Sequence, residues 1–140
     1  MALAASATHQ LPGTLYEEVL KFGVAGLGGL IVGVPLYQAK ADLFRAVGHP
    51  ARIRVLELLS LRDHAVHELL EDIAIEPSSL SQQLAVLRRT GLVMQRREGS
   101  TVVYCLAVPE VSDLLMAARK VLGQLLSDQQ SLAIALRDGA

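Results

Sequence analysis

Leucines recur at helical spacing in the stretch SSLSQQLAVLRRTGLV, residues 78–93. At about 100° per residue, Leu80, Leu84 and Leu87 fall on one narrow stripe. The opposite side carries small hydroxyl and amide side chains, the stretch contains no acidic residue, and two arginines lie near its end. Surface helices usually cover their solvent face with charged residues. This pattern therefore predicts an amphipathic helix whose uncharged polar face has a dedicated partner.

Three further helices are predicted ahead of this one. Apolar spacing and the positions of glycine and proline divide the chain into helices over residues 36–47, 50–61, 65–73 and 77–90. Gly48 is expected to end the first helix, and Pro50 to occupy the first turn of the second. Pro77 opens the fourth helix, for which Ser78 is a competent cap. The connection between the third and fourth helices is a tight turn.

The hydrophobic period changes after Gly91. The segments LVMQRR and TVVYCLAV are rich in β-branched residues and are separated by EGS, which predicts a β-hairpin. A last helix begins at Val111, and its apolar stripe is interrupted at Asp128 and resumes at Leu132. The predicted order is α-α-α-α-β-β-α, a mainly α fold with a small β-hairpin.

Length and composition predict one domain preceded by an extension. The chain has 140 residues, 51% of them hydrophobic and only 4% aromatic, a balance that favours aliphatic helix packing. Residues 1–34 are rich in Ala and Gly and carry few charges. We interpret them as a mobile arm, an extra packing segment or a stretch outside the natural start. Residues 35–140 form the predicted folded domain.

Charge is distributed unevenly along the chain. The net charge is −1, but residues 57–76 contain six acids against one arginine, whereas residues 77–104 contain four arginines against one glutamate. A basic segment inside a nearly neutral protein is typical of a surface that binds nucleic acid.

Two helices joined by a tight turn and followed by a basic hairpin predict a winged helix-turn-helix. In that geometry the second helix enters the DNA major groove. Hydroxyl and amide groups can pair with base edges there, while arginines contact phosphates. The predicted DNA-binding residues are Ser78, Ser79, Ser81, Gln82, Gln83, Arg88, Arg89, Arg96, Arg97 and Ser100.

Three segments carry a resemblance to a known family: LFRAVGHPARIRVLELL, HELLEDIAIEPSSLSQQLAVLRRTGLV and RREGSTVVYCL. Over residues 36–126 the chain resembles the ArsR family (ArsR/SmtB-like) of bacterial winged-helix repressors. The resemblance implies a homodimer built from the first and last helices, a double-stranded operator with two-fold symmetry, and repression relieved by an inducer of unknown identity. It also implies that Ser78, Ser81 and Gln82 face the bases.

The last helix carries more apolar surface than a small domain needs for its own core, which favours self-association. Packing against the glycine-rich segment is the alternative interpretation. The predicted dimer interface comprises Leu43, Val111, Leu114, Leu115, Ala118, Val121, Leu122 and Leu125.

Metal sites common in the resembled family are not matched by this sequence. The positions of a cysteine pair on the third helix hold Ala65 and His67, so a site of that type for soft metals or arsenic is not expected. The positions of a second site hold Asp113, Leu115, Leu126 and Gln129, of which only the aspartate is a usual ligand. We therefore expect no cofactor.

Other interpretations stay open at this point. His64 and His67, with Glu68 or Glu71, are weak candidates for a metal site, although solvated polar side chains are the simpler explanation. Cys105, the single cysteine, is either a buried inert thiol or a redox switch. A single cysteine and a start without signal-peptide character favour the cytoplasm, with no membrane partner. A winged-helix protein-interaction module is a further alternative, and no catalytic motif supports an enzyme.

Overall fold

The computed structural model describes residues 35–138, which form five helices and three strands. In chain order these are α1 (Leu36–Val47), α2 (Pro50–Leu61), β1 (His64–Ala65), α3 (Val66–Asp72), α4 (Pro77–Arg89), β2 (Val93–Glu98), β3 (Thr101–Leu106) and α5 (Glu110–Asp138). The mainly helical fold with a β-hairpin is confirmed. Residues 1–34, the predicted extension, lie outside the described residues. No helix within 35–138 combines the length and the apolar character needed to cross a membrane.

The short strand β1 was not predicted. His64 pairs with Tyr104 and Ala65 with Val103, so the antiparallel sheet has three strands in the order β1-β3-β2. Two residues are too few to show the alternation that identifies a strand in a sequence. The strand fixes the start of α3 against the middle of β3.

The hairpin of β2 and β3, called the wing from here on, is in a regular register. Pairing runs from Val93 opposite Leu106 to Glu98 opposite Thr101. Gly99 at the tip has a φ of 63°, a left-handed conformation that glycine adopts without strain. Because side chains alternate between the faces of a strand, Arg96 and Arg97 point to opposite faces of the wing.

The hydrophobic core lies behind α4. Leu80, Leu84 and Leu87 are at most 2% exposed, as the leucine spacing predicted. They pack in one cluster with buried residues of α2, of α3 and of the sheet, among them Leu56, Leu69 and Tyr104. The cluster places the polar side of α4 toward solvent.

The ends of the helices follow from local sequence. His49 caps α2, since its Nδ1 accepts a hydrogen bond from the backbone N–H of Ala51 at 3.1 Å. The prediction of Ser78 as the cap of α4 was wrong: Glu76 occupies the cap position, without a side-chain hydrogen bond, and Pro77 is the first helical residue. The fixed φ of proline suits that first position, which moves Ser78 into the helix. Beyond the other end, Gly91 has a φ of 78°.

Helix α5 extends beyond the core. It has 29 residues, and only Val111 is buried. Every residue from Met116 to Asp138 is exposed. The first turns of the helix pack against the core, but its exposed apolar side chains from Met116 onward are not covered by any element of the described part of the chain.

Candidate nucleic-acid interface

The solvent face of α4 presents three of the predicted base-reading side chains. Ser78, Ser81 and Gln82 are exposed, and the neighbouring Ser79 and Ala85 are half-buried. The buried leucines hold this face outward, and no acidic side chain lies within the helix. The result is a row of hydrogen-bonding groups on a rigid element, which suits contacts with base edges.

Gln83 is placed differently from its neighbour Gln82. Its side chain is half-buried, and its Oε1 accepts a hydrogen bond from Nη1 of Arg52 at 3.1 Å. The sequence assigned both glutamines to DNA. In the structure only Gln82 lies on the open face.

The last turn of α4 carries the exposed Arg88 and Arg89. Arg88 also meets the wing through Gln95. With the Gln95 amide oriented to suit its neighbours, its nitrogen donates to the Tyr104 hydroxyl at 2.9 Å and its oxygen accepts from Arg88 at 3.3 Å. This network joins the end of α4 to β2 and β3.

The two wing arginines have different environments. Nη1 of Arg96 lies 2.5 Å from Asp63 Oδ2 and its Nη2 lies 2.8 Å from Glu98 Oε1. Hydrogen bonds to Asp63 and then to Glu98 raise the pKa of Arg96 above its ordinary value. Arg97 is exposed on the other face, and no residue within 35–138 forms an ion pair with it. Its charge is available to a ligand, whereas that of Arg96 is balanced by carboxylates.

The predicted dimer residues fall into three environments. Val111 is 5% exposed and belongs to the core of its own chain, which corrects its assignment to an interface. Leu43, Leu114 and Leu115 are half-buried. Ala118, Val121, Leu122 and Leu125 are exposed. Further exposed apolar residues that the sequence did not single out as interface residues are Leu36, Tyr37, Phe44, Met116, Leu126 and Ile134.

The candidate metal ligands are not arranged as a cluster. His64 is 4% exposed, and its Nδ1 lies 2.8 Å from the carbonyl oxygen of Arg62. Our interpretation of both histidines as solvated was therefore wrong for His64, which is enclosed by the sheet; His67 is exposed. Over residues 35–138, no three His, Cys, Asp or Glu side chains are grouped to hold a metal ion.

Cys105 is half-buried on β3. Burial, and to a lesser extent the charge of Asp63, raises the pKa of its thiol. A raised thiol pKa disfavours the reactive thiolate.

Comparison with known proteins agrees with this geometry. The profile of a family described as "Bacterial regulatory protein, arsR family" matches residues 49–94, which span α2 to the start of β2. The chain is 52% identical over 106 residues to the HTH-type transcriptional regulator Rv0081 of Mycobacterium tuberculosis, covering 75% of this chain and 93% of the relative. The crystal structure of Rv0081 matches with a TM-score of 0.63 at 53% identity, covering 69% of this chain and 98% of that one.

Two further structures match over a similar region. HlyU from Vibrio cholerae, named as a transcriptional activator, gives a TM-score of 0.57 at 35% identity and covers 63% of this chain and 97% of that one. The transcriptional repressor BigR from Xylella fastidiosa gives 0.58 at 32% identity and covers 61% of this chain and 87% of that one.

Proposed function

This chain belongs to the ArsR family of bacterial DNA-binding transcriptional regulators, and from that membership we propose that it is a homodimeric repressor of a two-fold symmetric operator. It acts in the cytoplasm, where bacterial DNA lies. The observation that carries the proposal is the outward, acid-free face of α4, which is fixed by three fully buried leucines.

Base reading is assigned to Ser78, Ser81 and Gln82. The Gln82 amide nitrogen can donate to N7 of an adenine while the amide oxygen accepts from the N6 amino group of the same base, a bidentate pair that other bases do not match. Serine hydroxyls both donate and accept, so they adapt to either strand. All three side chains are exposed, so they are available for these contacts.

Phosphate contacts are assigned to Arg88 and Arg89 at the end of α4 and to Arg97 and Ser100 on the wing. These side chains flank the base-reading face, and each is exposed. Contacts of this kind supply most of the affinity and set the register of a protein on the duplex. Arg96 is paired with Asp63 and Glu98, and we assign it to support of the wing.

Two copies are required by the size of the site. One α4 and one wing read only a short segment, whereas a two-fold dimer places two such helices about 34–36 Å apart, in successive major grooves. The exposed apolar residues of α1 and α5 support that pairing, because a two-fold dimer brings the same surface of each subunit together.

Repression is the simplest consequence of such binding, because a dimer on the operator excludes other proteins from the same duplex. Among the similar proteins, BigR is named a repressor and HlyU an activator. We assign no cofactor and no inducer. The metal-responsive alternative gains no support, because His64 is enclosed and already bonded to a backbone carbonyl.

Binding of the purified protein to its own upstream DNA tests the proposal. Fluorescence anisotropy across a salt series should give nanomolar-range affinity for one upstream segment and weaker, strongly salt-dependent affinity for random DNA. Gln82→Ala should reduce the discrimination between operator and random DNA. Equal affinity of the native chain for upstream and random DNA at every salt concentration of the series would overturn the proposal.

A further inference from the structure

The Arg52 side chain lies where three helices meet. It starts from the first turn of α2, its Nη1 donates to Gln83 Oε1 on α4 at 3.1 Å, and its Nη2 donates to the carbonyl oxygen of Arg45 on α1 at 3.4 Å. Its Nε is buried without a hydrogen-bond partner. A cation has thus been partly removed from water and held between two neutral oxygens.

Both acceptors need a donor from elsewhere in the fold. The Arg45 carbonyl belongs to the last turn of α1, where carbonyls lack a partner within the helix. The backbone N–H of His49, which would continue the helical ladder, bonds to Val47 instead. A guanidinium at this end is also favoured by the helix dipole. The Gln83 side chain is half-buried, and its amide oxygen accepts a hydrogen bond from Arg52.

We propose that Arg52 and Gln83 form a clamp that fixes the orientation of α4 relative to α1, so that Arg52 is a positioning residue for operator reading and Gln83 belongs to the clamp and does not read a base. This inference rests on the proposed function. It adds a residue outside α4 and the wing to the set that decides sequence preference.

Contacts with bases and contacts with phosphates differ in how much displacement of α4 they tolerate. A bidentate pair between a side chain and a base tolerates little displacement, whereas a long arginine can follow a phosphate that moves. Loosening the clamp therefore weakens operator binding and leaves binding to random DNA nearly unchanged. Because α1 carries part of the exposed apolar surface, the clamp also connects the proposed dimer surface to the reading helix.

Direct contact of Arg52 with a phosphate is the competing explanation, and a charge-conserving substitution separates the two. Lysine carries the same charge but a single ammonium, which cannot span the two acceptors as the planar guanidinium does. Arg52→Lys therefore breaks the clamp and preserves a phosphate contact. Arg54→Lys is the matched control, since Arg54 lies on the same helix, is exposed, and pairs only with Glu57 at 3.1 Å among residues 35–138.

The experiment measures operator and random-DNA affinity for the native chain, Arg52→Lys, Arg52→Ala, Gln83→Ala, the Arg52→Lys/Gln83→Ala double variant and the Arg54→Lys control. We expect each single clamp variant to lose about tenfold in operator affinity, with the salt dependence of random-DNA binding unchanged. The double variant should lose no more operator affinity than the single variant that binds less tightly, because the second change removes a contact that the first has already broken. The control should bind as the native chain does.

Other results would overturn the inference. Native-like operator binding by Arg52→Lys, with a weaker salt dependence only in Arg52→Ala, identifies a phosphate contact. Additive losses in the double variant, or loss of preference at a single base pair in Gln83→Ala, identify Gln83 as a base reader.

A measurement without DNA separates failure of the clamp from failure of the proposed function. In urea unfolding, Arg52→Lys and Gln83→Ala should each lower the midpoint, and the double variant should unfold near the lower of the two. A native chain that does not bind its operator refutes the proposed function, and this cycle still decides whether the clamp exists. Additive shifts of the midpoint refute the clamp.

Discussion

At the scale of single residues, the buried leucines of α4 hold the polar face of the helix toward solvent. Leu80 is fully buried against α2 and the sheet. We predict that Leu80→Ala lowers the free energy of unfolding by about 2–5 kcal/mol, because it removes buried methyl groups and leaves a cavity. Urea unfolding followed by circular dichroism measures the change.

The matched control lies two residues further along the same helix. Gln82 is exposed, so Gln82→Ala should change the unfolding free energy by less than about 0.5 kcal/mol while altering DNA preference. A loss below about 1 kcal/mol in Leu80→Ala would contradict the assigned packing.

The sequence identified the side of α4 that faces solvent but not the engagement of individual residues. Helical periodicity is a local signal, and it separated the leucines from Ser78, Ser81 and Gln82 correctly. Gln83 and Arg96 depend on partners 31 and 33 residues away, Arg52 and Asp63. Such pairs arise from tertiary packing, which periodicity does not encode.

At the scale of elements, the short helix α3 depends on electrostatic contacts at its start. Arg62 Nη2 lies 2.6 Å from Glu68 Oε2, and the Ala65 N–H donates to Glu68 Oε1 at 3.0 Å. The ion pair with Arg62 and then this N–H lower the pKa of Glu68 from about 4.5 to about 2. The backbone contact is half of a capping box, because alanine offers no side-chain acceptor.

The lowered pKa of Glu68 gives a testable dependence on pH. A folded-state pKa below the unfolded value stabilises the fold above about pH 4.5, and this contribution disappears as the pH falls through about 2. Glu68→Gln should therefore have a lower melting temperature than the native chain at pH 7, and the difference should shrink between pH 4.5 and 2. Thermal unfolding across this range measures it.

Glu71→Gln, which removes an exposed carboxylate from the same helix, is the control for that experiment. A melting-temperature difference between the native chain and Glu68→Gln that stays constant from pH 7 to pH 2 would show that the ion pair with Arg62 does not stabilise α3.

The exposed arginine of the wing gives a prediction about the salt dependence of DNA binding. Arg97 is exposed, so Arg97→Ala should remove one phosphate contact per subunit and lower the magnitude of the salt slope of DNA binding by about 1.8 for a dimer. Affinity should fall by similar factors for operator and random DNA. Arg119→Ala on the exposed part of α5 is the charge-matched control, and an unchanged slope in Arg97→Ala would place Arg97 away from the DNA.

At the scale of the whole molecule, the fold class could be predicted because every long element has its own signal. Four helical patterns, a glycine turn between β-branched runs and a final apolar stripe are each readable within one window of sequence. The sheet could not be predicted in full, because β1 exists only through its pairing with β3. The burial of Val111 and of His64 likewise depends on elements distant in sequence.

The proposed association of two chains concerns the whole molecule, and the exposed face of α5 makes it testable. Leu122 and Leu125 are 60% and 53% exposed and lie on one side of a helix that has no covering partner within residues 35–138. A stable dimer buries about 800 Å² on each partner, and these two leucines are among the exposed apolar side chains that α1 and α5 offer to such an interface. A carboxylate at either position would have to be buried without a partner, which is strongly unfavourable.

We therefore predict that Leu122→Glu or Leu125→Glu converts a dimer into a folded monomer in analytical ultracentrifugation. Operator affinity should fall at least about a hundredfold, since a monomer contacts a single half-site. Leu61→Glu is the control, because Leu61 is 81% exposed at the end of α2 and its substitution tests an added carboxylate as such. Dimers that persist in both α5 variants would move the interface to another surface. Loss of dimers with operator affinity retained would show that one subunit reads the DNA alone.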